Sequence, residues 1–432
     1  MGTTVLTRGA LLLVPGILGL LCSAPVWGES QPLALPQLVD YALQNNGELN
    51  ALRAEKGSRD AAKIRAGLLP NPTLELDAAT GALTGSSAEN SLSIGFSQEL
   101  LLAGKRDKRR AIAEQEMESY RWQLADRERV LAEEVKTAFY DVVLAEQRLT
   151  LADRFIALNR QLLEVTNERL LAGDIPELEL NLVKVELARS EGAKIDVEKS
   201  LQQRQSRLWT LMGLPRGESR HVAGNLDNKT QVTGELADLK QLAQGKRPDL
   251  KALAAEKVRG DAELVLADAE SIPNLTAGIA LKRDTTAMEI GGVEGKDTAY
   301  TLGLKLSIPI PVFDRNQAGV QEARARQNSA ASRWAAAVNS IERDVATAYL
   351  SYRNTEKVLG LYRSNILPQL EENLKLTQEA YRLGELGILS VIQEQKLFFE
   401  VNDSYLTALH DRQTALVKLE SAVATDLTGG VQ

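Results

Sequence analysis

Between Ser91 and Gly173 the chain changes, almost without a linker, from a hydrophobic period of two to one of seven residues per two turns. In Ser91-Leu92-Ser93-Ile94-Gly95-Phe96-Ser97 every second side chain is apolar and the others are Ser or Gly. An extended segment with this pattern has one apolar and one wet face. From Gly104 to Ala172 there is no proline, and a helix of that length reaches on the order of 100 Å, far more than the width of a globular domain. Within it Val135, Val142, Leu149, Ile156, Leu163 and Leu170 recur every seven residues, with Ala138, Ala145 and Ala152 beside the first three. This is a close-packed heptad seam. Leu144, Leu151, Leu158 and Val165 form a second seam, while Gln147, Arg154, Gln161 and Glu168 keep a third stripe polar. A helix with a neighbour on each side and one wet face is the stave of a wall.

The same units occur twice. A helical stretch from Leu35 to Leu69 leads through Pro70-Asn71-Pro72 into an alternating strand, a Gly/Ser-rich loop at 80–90 and the Ser91 strand, which predicts a hairpin. The long helix then turns at Gly173-Asp174-Ile175-Pro176, glycine serving as the cap and proline opening the return helix to Met212. Residues 213–245 read as a connector. Ala51-Leu52-Arg53-Ala54-Glu55-Lys56 then reappears 201 residues later as Ala252-Leu253-Ala254-Ala255-Glu256-Lys257. A strand at 274–282, a loop at 283–298, a strand through Leu302, Leu304 and Leu306 to Ile308, and a long helix follow. That helix is expected to kink at Pro368 and turns at Gly384-Glu385-Leu386-Gly387.

The predicted fold class is therefore mainly α with a small β part: a long-helix α-barrel joined to a transmembrane β-barrel shared between protomers, built from two tandem repeats. The expected divisions are an export signal at 1–28, a first repeat at 29–212 (hairpin 72–99, helices 104–172 and 176–212), an equatorial connector at 213–245, a second repeat at 246–427 (hairpin 274–308, helices 316–383 and 387–427) and a short tail at 428–432. Four strands cannot close a barrel, which needs about eight or more, so copies of the chain must share one.

Composition narrows the partners. With net charge −7 over 432 residues, bulk electrostatics gives no reason to expect nucleic acid. Arg8 precedes a short apolar run, Ala10 to Leu21, followed by Val26-Trp27-Gly28, which reads as a secretory signal cut after Gly28. The only cysteine, Cys22, lies inside it and follows the large Leu21, a poor lipidation site. No other segment is apolar for eighteen residues, so a membrane-embedded product must use strands; Leu92, Ile94, Phe96, Leu302, Leu304 and Leu306 would face the lipid.

Chemistry-bearing residues are sparse. His221, His410 and four methionines are the available imidazoles and thioethers, which argues against a dedicated soft-metal site. No nucleophile–base pair, phosphate loop or zinc-like spacing occurs, so neither catalytic residues nor a cofactor are expected. Asp174, Glu177, Glu179 and Glu385 flank the two helical turns. They would form cation-favouring rings in a symmetric pore, or equally stand as solvated charges at helix starts. The run Lys105-Arg106-Asp107-Lys108-Arg109-Arg110 sets cations at a helix start, where lipid headgroups, Glu99 or water would compensate them.

Gly67-Leu68-Leu69-Pro70-Asn71-Pro72 before the first strand, Gln98-Glu99-Leu100 with Gly104-Lys105-Arg106 after the second, and Pro309-Ile310-Pro311-Val312-Phe313-Asp314-Arg315-Asn316-Gln317 after the fourth resemble the TolC-type outer membrane efflux factors, specifically their CzcC-like heavy-metal branch. The resemblance spans nearly the whole mature chain. It implies a homotrimer with twelve strands in the outer membrane and a periplasmic helical tunnel docked to an adaptor protein and a proton-driven inner-membrane pump of the RND type, passively exporting heavy-metal cations. It places adaptor contacts at Leu170, Gly173, Leu383 and Gly384. Tyr381 matches the family's tip tyrosine, with Arg382 as a latch partner, whereas the family's paired gate aspartates correspond to Ser390 and Gln393 and do not transfer. A duct for polypeptide secretion or drug efflux, or a periplasmic coiled coil with no pore, are the competing expectations.

Overall fold

The computed structural model describes residues 34–83, 87–215, 217–218, 220, 222–228, 232 and 234–427; the expected signal, Cys22, His221 and the tail at 428–432 lie outside them. Chain order is α1 (Leu35–Asn45), α2 (Gly47–Ala54), α3 (Lys56–Gly67), β1 (Thr73–Thr80), β2 (Asn90–Leu100), α4 (Lys105–Leu171), α5 (Glu177–Met212), α6 (Leu236–Lys246), α7 (Pro248–Glu270), β3 (Leu275–Ile290), β4 (Val293–Ser307), α8 (Gln317–Leu361), a π-helical turn (Tyr362–Ile366), α9 (Leu367–Arg382) and α10 (Ile388–Val423).

Both seams of α4 are used. It packs against α5 on one side and α7 and α10 on the others, burying Val135, Ala138, Val142, Ala145, Ala152 and Ile156 from the first seam and Leu144 and Leu151 from the second. The polar stripe at Arg154, Gln161 and Glu168 stays exposed. Leu38 and Leu49 of the N-terminal helices, Leu208 and Met212 at the end of α5, Leu226 of the connector and Leu409 of α10 complete this cluster at mid-length.

Two expectations are corrected. The single helix over 35–69 is three. Asn46 adopts an extended conformation, its side chain accepts from the Leu49 amide at 3.0 Å and donates to the Leu211 carbonyl at 2.9 Å, so the break is stabilised from another helix. The Tyr120 hydroxyl donates to the Leu52 carbonyl at 2.8 Å where α2 ends. Second, the expected loop at 283–298 is strand. β3 and β4 pair up to Ile290 and Val293 around Gly291 and Gly292, at φ +63° and +85°, a two-residue turn that requires positive φ. The alternation is lost there because polar residues, among them Arg283, Asp284, Thr285 and Thr286, stand on both faces of the hairpin. Next to Pro368, where a kink is expected, the π-helical turn interrupts the second long helix. Pro368 has no N–H to give the Ser364 carbonyl, and the Leu367 amide reaches Tyr362 instead. The longer second hairpin and the longer link after it, 308–316 against 101–104, together explain why the repeat offset grows from 201 residues at Ala51 and Ala252 to 211 at Gly173 and Gly384.

The four strands form one antiparallel sheet in the order β1-β2-β3-β4. Its register aligns Leu74, Phe96, Ile279 and Leu304, and beside them Leu76, Ile94, Leu281 and Leu302.

Candidate functional sites: the sheet faces and the helical tips

Alternation puts the two aligned rows, with Leu92 and Leu306, on one face of the sheet, and all of them are exposed; Leu304 is 84% accessible. The opposite face carries Glu75, Ser97 and Lys305. Ser97 donates to Glu75 at 3.1 Å and Lys305 pairs with the same carboxylate at 3.3 Å. Glu75 lies on β1 and Lys305 on β4, with two strands between them, a span of about 14 Å at normal strand spacing. They meet because the sheet curls with its polar face concave. A polar concave face, an apolar convex face and two edge strands that pair with no further strand among the described residues are the features of a barrel segment.

Where the sheet meets the helices, Lys105 is buried. Its ammonium donates to the Ile272 carbonyl at 2.5 Å and to Asn274 at 2.7 Å, and Asn274 in turn donates to Glu99 at 2.6 Å. Burial lowers the Lys105 pKa below its ordinary value, against the raising influence of Glu270 and Glu99. Of the other cations in this run, Lys108 donates to the Ala103 carbonyl at 2.6 Å and Arg109 pairs with Glu270 at 3.4 Å.

At the far ends of the long helices the two turns have the same construction. The Asp174 amide bonds to the Arg169 carbonyl and the Gly173 amide to that of Leu170; the Glu385 amide bonds to Ala380 and the Gly384 amide to Tyr381. Gly173 and Gly384 sit at φ +82° and +83°. These are Schellman caps, in which a left-handed residue lets the last carbonyls find donors.

Tyr381 is 1% accessible. Thr166 gives its hydroxyl proton to the Leu162 carbonyl at 2.7 Å, so the Tyr381 hydroxyl is the donor in their 3.1 Å contact. Arg169 lies 4.7 Å over the Tyr381 ring and donates to the Tyr381 carbonyl at 2.9 Å. Arg169, on the first tip, therefore holds the second. The sequence marks Arg169 only as a basic residue at the first tip, because its contact joins residues 212 apart. Arg382 is exposed, as are Asp174, Glu177 and Glu385, while Glu179 is half-buried. None of these four carboxylates makes an ion pair among the described residues. Leu170 is half-buried; the apolar side chains presented outward include Leu171, 80% accessible, Leu383, 68%, and Leu178. Among the described residues no group of three His, Cys, Asp or Glu could hold a metal. His410 donates through Nε2 to Asp141 at 2.8 Å, and Arg204 reaches the same carboxylate at 3.1 Å.

The sequence matches the outer membrane efflux protein family twice, over residues 38–214 and 239–425. The chain belongs to that family. It is an outer membrane efflux channel protein and not an enzyme, and the two matches coincide with the two structural repeats. It is 25% identical over 391 residues to the cobalt-zinc-cadmium resistance protein CzcC of Cupriavidus metallidurans, covering 90% of this chain and 89% of that one. It is 22% identical over 424 residues to the pyoverdine export outer membrane protein OpmQ of Pseudomonas putida, covering 92% and 87%. In fold it resembles a crystal structure of CusC, with a TM-score of 0.76 at 19% identity over 90% of this chain and 91% of that one. Membership displaces the poreless coiled coil.

Proposed function

We propose that the chain is the outer membrane duct of a tripartite, proton-driven export system of the RND type, passing heavy-metal cations out of the cell. It acts as a homotrimer. Three copies supply twelve strands, and β4 of one copy pairs with β1 of the next, which leaves no open edge. After removal of residues 1–28 the sheet lies in the outer membrane and the helices extend into the periplasm, with 213–245 as the equatorial connector. The observation that carries this reading is the curled sheet with a polar concave and an apolar convex face, four strands wide and open at both edges. An adaptor protein meets the tips at Leu170, Gly173, Leu383 and Gly384, and the inner-membrane pump supplies energy and most of the selection. Asp174, Glu177, Glu179 and Glu385 line the mouth, with Tyr381, Arg169 and Arg382 holding its resting state.

Cations are favoured as cargo because a metal-resistance relative aligns over nine-tenths of this chain. The similarity to a pyoverdine exporter favours, as the second reading, a duct for larger organic molecules. Deleting the gene separates the two. The first expects sensitivity to cobalt, zinc or cadmium, relieved by the restored gene, with unchanged tolerance of organic compounds; the reverse pattern selects the second.

A further inference from the structure

In the part of α4 nearest the tips, its apolar packing against α10 is interrupted. The row Ala138, Ala145 and Ala152 continues at the same spacing through Asn159 and Thr166, so two polar residues stand at positions that face a neighbouring helix. Thr166 has the two partners described above. Asn159 is 0% accessible, and neither its Oδ1 nor its Nδ2 makes a hydrogen bond among the described residues. Gln395 on α10 is 1% accessible, and its Oε1 and Nε2 are equally without a partner there.

The two amides share one level of the bundle. α4 and α10 run antiparallel: Arg148 pairs with Asp403 at 2.7 Å, the Phe155 and Phe399 rings are 4.9 Å apart, and Leu162 packs in one cluster with Ile392. Asn159 and Gln395 fall between the last two of these contacts. On the tip side of them lies the cluster that holds Leu162, Val183 and Ile392. On the other side lies that of Leu370, Leu374 and Phe398, and the two clusters are separate. At the same level Lys396 of α10 pairs with Glu186 of α5 at 3.0 Å, so the polar layer reaches both helical hairpins.

Buried amides are ordinarily hydrogen-bonded, and a polar layer left unsatisfied costs more than an apolar one of the same shape. Parting the helices relieves that cost, because the four amide atoms then meet water, whereas the apolar clusters on either side only lose contacts. Polar residues kept inside a helical interface at the expense of stability are best known for setting register or for switching. We propose that Asn159 and Gln395 form a release layer, a built-in weakness at which the α9–α10 hairpin parts from the α4–α5 hairpin when the duct opens. The Tyr381 tie, which joins the same two hairpins nearer the tips, holds the layer shut at rest. The inference rests on the reading of the tips as the gate of the duct.

Asn159→Leu combined with Gln395→Met tests it, since both replacements keep side-chain size and remove the amides. In the full-length protein in lipid nanodiscs, backbone hydrogen exchange over 155–163 and 391–399 should slow by about tenfold, the factor for one buried polar group relieved of an unmet bond. Resting conductance in planar bilayers should fall, most visibly in an Arg169→Ala background, where loss of the tie raises it. Exchange that is unchanged or faster overturns the proposal, because the amides then hold the helices together or do nothing. If Arg169→Ala raises conductance and the added layer replacements leave it raised, the gate reading stands and the proposal falls. If Arg169→Ala itself changes nothing, the gate reading fails, and the proposal with it. Should leucine overpack and block assembly, Asn159→Ala with Gln395→Met, which restores the alanine row, carries the same expectations.

Discussion

Tyr381 shows how a single side chain joins the two repeats at the tips. Its hydroxyl binds Thr166 and its ring and carbonyl bind Arg169. Tyr381→Phe removes one buried hydrogen bond and should cost about 1 kcal/mol in urea unfolding. Arg169→Ala removes the carbonyl bond and the stacked cation together, and should raise resting conductance in planar bilayers more than Arg382→Ala does; equal effects would count against Arg169 as the tie. Asp141 gives a pH-dependent term. Burial pushes its pKa up, but the His410 hydrogen bond and the charges of His410, Arg204 and Arg207 outweigh it and hold the carboxyl below its ordinary value. A depressed folded pKa stabilises above the unfolded value near 3.9 and loses that contribution as pH falls through the folded value. Asp141→Asn should therefore destabilise at pH 7, and the gap to the unmodified protein should narrow in unfolding curves taken at about pH 3.

At the scale of elements, the heptads of α4 were legible because burial on two sides repeats every seven residues, and the caps were legible because Gly173 and Gly384 are where a left-handed residue is needed. The breaks inside the first helical stretch were not. Asn46 is held by Leu211, 165 residues away, and nothing near it in sequence reports that. The tips also differ in detail from expectation, since Leu171 is the residue presented while Leu170 turns partly inward. Leu171→Glu combined with Leu383→Glu places charge on the apolar surface offered to an adaptor and should abolish export at unchanged outer membrane abundance. Normal export by this double variant would move the contact elsewhere.

For the whole molecule the decisive feature is incompleteness. The sheet leaves β1 and β4 as edges and exposes the convex apolar face, so an isolated copy in water presents both strand-pairing groups and a hydrophobic surface. A heat-modifiable species of about three subunits is expected on semi-native gels, collapsing to the monomer on boiling. A stable, membrane-inserted monomer would exclude the shared barrel. Lys305→Glu sets like charges against Glu75 on the concave face and should lower the temperature at which that species dissociates.

Local periodicity determined most of the architecture. A period of two or seven has a preferred local geometry, and the tandem order of the units is written in residues that repeat along the chain. Function at the level of family was legible for the same reason, in the short motifs that flank the strands. What only the tertiary structure decided are contacts between distant residues: Asn46 with Leu211, Lys105 with Asn274, Glu75 with Lys305 and Arg169 with Tyr381. The extent of the second hairpin belongs with them, because its outer part carries polar residues on both faces and so shows no alternation. Such choices depend on which groups become neighbours after folding, and hydrophobic patterning reports only which faces are buried.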